Sequence, residues 1–280
     1  MSHWSFPRWL RGAALGALAF GAIPLSACRD SGDVTGSIGE AQQPLPSGEA
    51  ELRAYVETWG ARYDADPGAK AASINYARGL RALTRTKEAV AVMQAAAVKA
   101  PKDYEILGAY GKALADDGQL AQAKDVLTRA YTPERPNWGV MSVQGSVADQ
   151  LGEHASAQDF YRGALKIAPG EPNVLSNLGL SYALTKQLPA AEAALRQAAA
   201  SPRADRRVRD NLALVLALEG KFGEAEQLSA RDMGPAEAKA NVAAIKMMIA
   251  QSNSWKDIQA LEAKRHAAKA PPPPDAAPAG

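Results

Sequence analysis

The chain has 280 residues with 32 basic against 30 acidic side chains, and a formal net charge of +2 gives no field of one sign large enough to attract nucleic acid or anionic lipid. Aromatics make up only 6% of it, Ala is abundant, and Gly and Pro fall at intervals, which favours small-residue helix packing over a β-rich fold. Length alone would allow two ordinary domains, but repeat architectures ignore that estimate.

In chain order, Arg8 and Arg11 flank Trp9 and Leu10, and an uncharged Ala/Gly/Leu-rich stretch runs from Gly12 to Leu25. This reads as the apolar region of a signal peptide: it is too short to span a hydrocarbon core of ~30 Å. No later stretch is long and apolar enough to do so, and the mature protein is expected to have no transmembrane helix. The stretch ends in Leu25-Ser26-Ala27-Cys28, and Cys28 is the only cysteine. A lone thiol in an exported protein makes no internal disulfide, so it is free, intermolecular or modified. These residues resemble the lipobox of bacterial lipoprotein precursors. The resemblance implies that residues 1–27 are removed and that Cys28 carries a covalent lipid, a diacylglyceryl thioether with an acylated amino group. Two or three acyl chains hold a protein stably where one does so only marginally. Arg29 stands where an Asp signals inner-membrane retention in enteric bacteria, so the expected location is the periplasmic side of the envelope, anchored at the outer membrane. Residues 28–49 read as a disordered tether, polar and poor in apolar side chains.

From residue 50 the chain reads as helix after helix, and self-comparison finds a period of 34 residues. With units starting at Lys70, Tyr104, Trp138, Pro172 and Arg206, position eight is Ala77, Gly111, Gly145, Gly179 and Ala213. Position twenty is Ala89, Ala123, Ala157, Ala191 and Ala225, and position twenty-seven is Ala96, Ala130, Ala164 and Ala198, departing at Asp232. Antiparallel helices approach to ~8 Å only where the crossing residues are small. Larger side chains at position twenty-four (Met93, Leu127, Tyr161, Leu195, then Ser229) fill the gaps. Gly118, Gly152 and Gly220 recur at position fifteen as helix stops, Pro101 and Pro169 at position thirty-two, and Asp103, Asn137 and Asp205 stand where N-caps are needed.

This pattern resembles the tetratricopeptide-repeat (TPR) family. The resemblance implies an all-α superhelical solenoid of antiparallel hairpins, with five units over residues 70–234. Residues 50–69, with Trp59 and Pro67 at the equivalents of positions twenty-four and thirty-two, form a leading half-repeat helix. Residues 235–268 are read as C-terminal capping helices: one carries Val242, Ala243, Ile245, Met247, Met248 and Ile249, and a short one is capped by Ser254 and carries Trp255, Ile258 and Leu261. Residues 269–280, with Pro271 to Pro274, read as a disordered tail.

In the TPR family, positions two, five, nine, twelve and thirteen of the first helix face a concave groove. Here the candidates are Ile74, Arg78, Arg81, Glu105, Lys112 and Asp116 toward one end and Leu180, Leu184, Leu214 and Leu218 toward the other. Such a groove suits a peptide with an acidic end and a hydrophobic end. The family's carboxylate clamp is not reproduced, because Asn75, Asn177 and Asn211 fall at position six, where they are expected to satisfy backbone between repeats.

Nothing in the sequence points to an enzyme. His154 and His266 have no metal-ligand spacing with Cys or Glu, and no nucleophile elbow, phosphate loop or paired-carboxylate motif appears, so neither metal nor catalytic residues are expected. His154, after Gly152, is read as a solvent-exposed turn residue. The cluster Arg203, Arg206, Arg207 and Arg209 is read as a solvated face or a contact for an acidic protein, and nucleic acid is not an expected partner of an exported chain.

The lipobox, tether, TPR array and helical tail together resemble the TadD family, the TPR lipoproteins of Flp/Tad pilus assembly. The closest stretch is Arg207-Val208-Arg209-Asp210-Asn211-Leu212-Ala213-Leu214-Val215, with Gly220-Lys221-Phe222 and Glu224-Ala225-Glu226, then Glu237-Ala238 and Ala240-Asn241-Val242-Ala243. This implies envelope partners such as secretin or pilus-assembly subunits. A scaffold for outer-membrane protein assembly or peptidoglycan enzymes is the alternative.

Overall fold

Each unit opens with a helix of 13 residues: α2 (Lys70–Ala82), α4 (Tyr104–Asp116), α6 (Trp138–Gln150), α8 (Pro172–Leu184) and α10 (Arg206–Leu218). Each is followed by an outer helix: α3 (Thr86–Lys99), α5 (Leu120–Thr128), α7 (His154–Ile167), α9 (Leu188–Ala199) and α11 (Phe222–Ser229). One helix precedes them, α1 (Glu49–Ala65), and one follows over residues 235–251, α12. The computed structural model describes residues 45–251. Cys28, the signal segment, most of the tether, the Ser254 helix and the Ala/Pro tail lie outside the described residues. The fold is an all-α TPR-type solenoid, and among the described residues no helix is long and apolar enough to cross a membrane.

The turn inside each hairpin is the same Schellman turn. Residue fifteen takes a left-handed conformation, with φ of 60° at Thr84, 78° at Gly118, 79° at Gly152, 63° at Lys186 and 81° at Gly220. The next N–H then reaches back to the carbonyl five residues earlier: Arg85 to Leu80, Gln119 to Leu114, Glu153 to Ala148, Gln187 to Tyr182 and Lys221 to Leu216, all at 2.8–2.9 Å. At the other end, Asp103 accepts from the backbone N–H groups of Glu105 and Ile106, Asn137 from Val140 and Asp205 from Val208.

Packing inside a hairpin follows from the small residues. The five alanines at position twenty are all 0% exposed. The position-eight glycines sit under the position-twenty-four side chains: a Cβ on Gly145 would lie 2.5 Å from the Tyr161 ring, and one on Gly179 2.6 Å from Leu195. A third column ties one unit to the next. Ala72, Ile106, Val140, Val174, Val208 and Val242 are buried 34 residues apart, so α12 keeps the register of an inner helix. At the leading end α1 packs on α2 as an outer helix does, with Val56 and Tyr55 closing over Gly79.

Gly145→Ala is therefore expected to lower stability by about 1–3 kcal/mol, because the Tyr161 ring is held and has nowhere to move. Thr84→Gly, at φ 60°, should instead raise it by about 0.5–1 kcal/mol, since relief of left-handed strain exceeds the added chain entropy. Urea unfolding followed by circular dichroism checks both; a stabilised Gly145→Ala would show that the ring does not limit the approach.

Candidate protein-binding groove

The backbones of consecutive inner helices approach one another along the stack (α2 with α4, α4 with α6, α6 with α8, α8 with α10), whereas among the described residues the backbones of consecutive outer helices stand further apart and long side chains such as Arg196 of α9 and Glu224 of α11 reach across. The stack is therefore compressed on the inner side, and the inner helices form its concave wall.

The structure divides the sequence-predicted groove residues into two groups. Ile74 does not belong to the wall: it is 1% exposed and packs in the core with Ile106 and Leu107. Position five turns out to be where consecutive inner helices meet. A Cβ on Gly108 would lie 3.2 Å from Val140, and Ser142 and Ser176 at this position accept from Asn177 Nδ2 and Asn211 Nδ2 of the following unit at 3.4 and 3.0 Å. The position-six asparagines expected to bond backbone between repeats thus bond hydroxyls instead. Asn75 accepts from the Tyr55 hydroxyl at 2.8 Å and donates to the Ala71 carbonyl of its own helix.

At this end the charges are committed within the protein. Arg78 is buried beneath α1 and donates to Asn75. Arg81 Nε donates to Asp116 at 2.7 Å across α2 and α4, with both side chains largely shielded from water. Lys70 bridges Asp103 at 3.0 Å and Glu105 at 2.9 Å. Lys112 is half-buried. The other end stays open: Leu180 and Leu214 are half-buried, and one turn further Leu184 and Leu218 are each 39% exposed. Met248 of α12, 34 residues after Leu214, extends this apolar row and is 54% exposed. The sequence carried that signal in its period, although Met248 reads there only as part of a capping helix.

Between the two ends lies a buried node. Asp149 of α6 accepts from Ser181 Oγ of α8 at 2.8 Å and from the Tyr161 hydroxyl of α7 at 3.2 Å, and its other neighbour is His154 Nδ1 at 2.9 Å. His154 is thus not a free turn residue; it opens α7 half-buried against a carboxylate. Burial pushes the Asp149 carboxyl up, against the hydrogen bonds from His154, Ser181 and Tyr161. Ser181 is 0% exposed and, like His154, addresses Asp149, so the three do not form a nucleophilic relay. The arginine cluster is likewise occupied: Arg203 pairs with Glu171, Arg206 with Asp210, Arg207 with Asp205, and Arg209 holds Asp232 through two bonds of 2.6 Å. Asp232 stands where four other units have alanine, and it closes the shortened α11 turn onto α10. Among the described residues no group of His, Cys, Asp and Glu is placed to hold a metal.

Asp103 gives a pH-dependent test of this architecture. Burial alone would raise its pKa, but the Ile106 and Glu105 N–H groups and Lys70 bring it below the ordinary carboxylate value. Its contribution is present above the unfolded value of about 3.9 and is lost as pH falls through the lower folded value. Asp149 has the opposite sign, its contribution fading as pH rises through its raised value. Asp103→Ala should therefore cost about 1 kcal/mol at neutral pH, with the gap to the parent narrowing below about pH 3.9. A gap in urea unfolding that is independent of pH would remove the charged cap.

Residues 141–171 match the tetratricopeptide repeat family model. No curated protein sequence matches the chain. Among solved structures, the human IFIT1 dimer with PPP-AAAA is similar at a TM-score of 0.55 and 17% identity, covering 65% of this chain, which spans 46% of that one. PilW, described as a widely conserved type IV pilus biogenesis factor, is similar at a TM-score of 0.53 and 18% identity over 70% of this chain and 84% of its own. A thermophilic TPR protein of Thermus thermophilus, TTC0263, gives 0.56 and 21% over 64% of this chain and 100% of its own. These likenesses establish the TPR-type fold.

Proposed function

We propose that this protein is a lipid-anchored, protein-binding scaffold of the bacterial envelope that serves Flp/Tad pilus or secretin assembly. The observation that carries the binding role is the apolar row of Leu180, Leu184, Leu214 and Leu218 left open on the concave wall of a TPR-type stack. TPR folds are typically interaction scaffolds, and an open row on the inner wall is where a helix or peptide is received. The anchor rests on the Leu25-Ser26-Ala27-Cys28 motif and on Cys28 being the only cysteine. The pilus assignment rests on the local TadD-like sequence around Asn211 and on a fold shared with PilW.

The structure alters the chemistry of the ligand expected from sequence. An acidic end was to meet Arg78, Arg81 and Lys112, but Arg81 is paired with Asp116 and Arg78 is buried. The recognition carried by the open row is apolar.

Cross-linking and co-purification from membranes should recover secretin and pilus-assembly subunits; recovery only of barrel-assembly components or cell-wall hydrolases would sink the pilus assignment and favour the other scaffold reading. Leu184→Arg with Leu218→Arg, both at partly exposed sites, should weaken that capture about tenfold or more while leaving the helical spectrum intact. Cys28→Ser should move the protein from the membrane to the soluble fraction with its repeats folded, and unchanged membrane partition would remove the anchor.

A further inference from the structure

α5 is nine residues long where the outer helices α3 and α7 have 14, and the chain leaves it at Thr128 for a turn closed by the Thr132–Arg135 bridge. Ala130 keeps its buried place at position twenty-seven, so the hairpin stays closed. The missing last turn leaves open the space beside the end of α3. Two adjoining hollows of about 340 and 430 Å³ lie there, bounded together by Val98 of α3, Pro101 and Lys102 of the following turn, and Arg129, with Leu107 of α4 at the bottom of both. That is the size range of sites that take a side chain and its neighbours. Elsewhere side chains tie successive outer elements, Lys124 to Glu153 ahead of α7 and Arg196 to Glu224 between α9 and α11. Among the described residues no hydrogen bond or ion pair crosses from α3 to α5.

The floor of this fissure is apolar and its rim is basic. Val98, at 76%, is the most exposed large apolar side chain among the described residues. Tyr110 offers its ring, because its hydroxyl already accepts from Gln122 Nε2 at 2.9 Å. On the rim, Lys102 is exposed and has no ion-pair partner among the described residues. Arg129 is 3.3 Å from Asp125 in a pair whose side chains are both more than half exposed, an arrangement worth little and easily exchanged. Arg135 lies over the Tyr104 ring at 5.8 Å. Of the neighbouring carboxylates, Asp103 and Glu105 are held by Lys70, which leaves Asp125 and Glu134 against these three cations. A lipid surface would use the cations only. The floor lies at the level of α4, beneath both outer helices, where a single side chain reaches and a layer of headgroups does not.

We propose that the fissure between α3 and α5 is a second protein-binding site, on the outer side of the stack, for a short acidic segment of a partner protein that carries a leucine or phenylalanine. The apolar side chain enters over Leu107 and Tyr110, and carboxylates on either side of it pair with Lys102, Arg129 and Arg135. The site shares no residue with the row from Leu180 to Leu218, so it goes beyond the reading of that row and stands if the pilus assignment fails.

The test uses the full-length chain carrying Cys28→Ser, so that no acyl chain competes for apolar surface. The probe is a fluorescein-labelled peptide of leucine and phenylalanine flanked on both sides by aspartates, followed by fluorescence polarisation. Replacing its leucine and phenylalanine with serine should weaken binding about tenfold or more. Lys102→Glu with Arg129→Glu, both at exposed sites, should weaken it about tenfold or more with the helical spectrum preserved, and should bind the lysine-flanked version of the peptide better than the aspartate-flanked one. No binding by the parent, equal binding of the serine peptide, or indifference to the charge reversal overturns the proposal. Loss of binding in Leu184→Ser with Leu218→Ser but not in the charge-reversed chain overturns it in favour of the inner wall. Charge reversal that releases the protein from phosphatidylglycerol vesicles and leaves peptide binding unchanged overturns it in favour of a lipid headgroup.

Discussion

The distance between the two helices of each hairpin governs everything else in this molecule. It is set where glycine or alanine at position eight lies under the position-twenty-four side chain, with the position-twenty alanine sealed beside them at 0% exposure. The hairpin helices run from 8 to 14 residues, too short to be stable alone. Each persists because close approach buries its apolar stripe against a partner, and because the next hairpin covers the face left over. A side chain larger than alanine at these crossings separates one hairpin and disturbs the register of the wall built on it.

What the sequence made legible was this close approach, because small residues recur at a fixed period and stand out against any background. Less legible were features in which a common residue does an uncommon thing. Thr84 and Lys186 take the left-handed turn that Gly118, Gly152 and Gly220 take freely, at a cost of about 1–2 kcal/mol each, and no residue type announces it. Ile74 reads as a groove residue because its position faces one in the family pattern; here position five is closed by the following inner helix. The Asp149 node was invisible for another reason: its partners lie 5, 12 and 32 residues away and meet only once three helices are packed. His154 read as an ordinary turn residue because its carboxylate partner is on the preceding helix.

The charges show how a nearly neutral chain can be rich in ionic contacts and still present little charge specificity. Arg81 is spent on Asp116, Lys70 on Asp103 and Glu105, and the arginines around α10 on four different carboxylates. Largely shielded pairs such as Arg81–Asp116 contribute to register more than to stability, since desolvation offsets much of their attraction. Two ends of one wall consequently differ in kind. The leading end is bolted by ion pairs and covered by α1, and the trailing end exposes leucines.

That asymmetry has a direction relative to the anchor. The proposed lipid site at Cys28 precedes the leading, closed end, and successive inner helices at ~10 Å carry the open row some 30 Å or more further along the stack. A row of leucines beside a membrane would compete with lipid for its own ligand, whereas a row at the distal end meets proteins first. The charged, covered half then acts as a stiff spacer, and the division of the wall into a bolted half and an open half follows from where the chain is proposed to be tied.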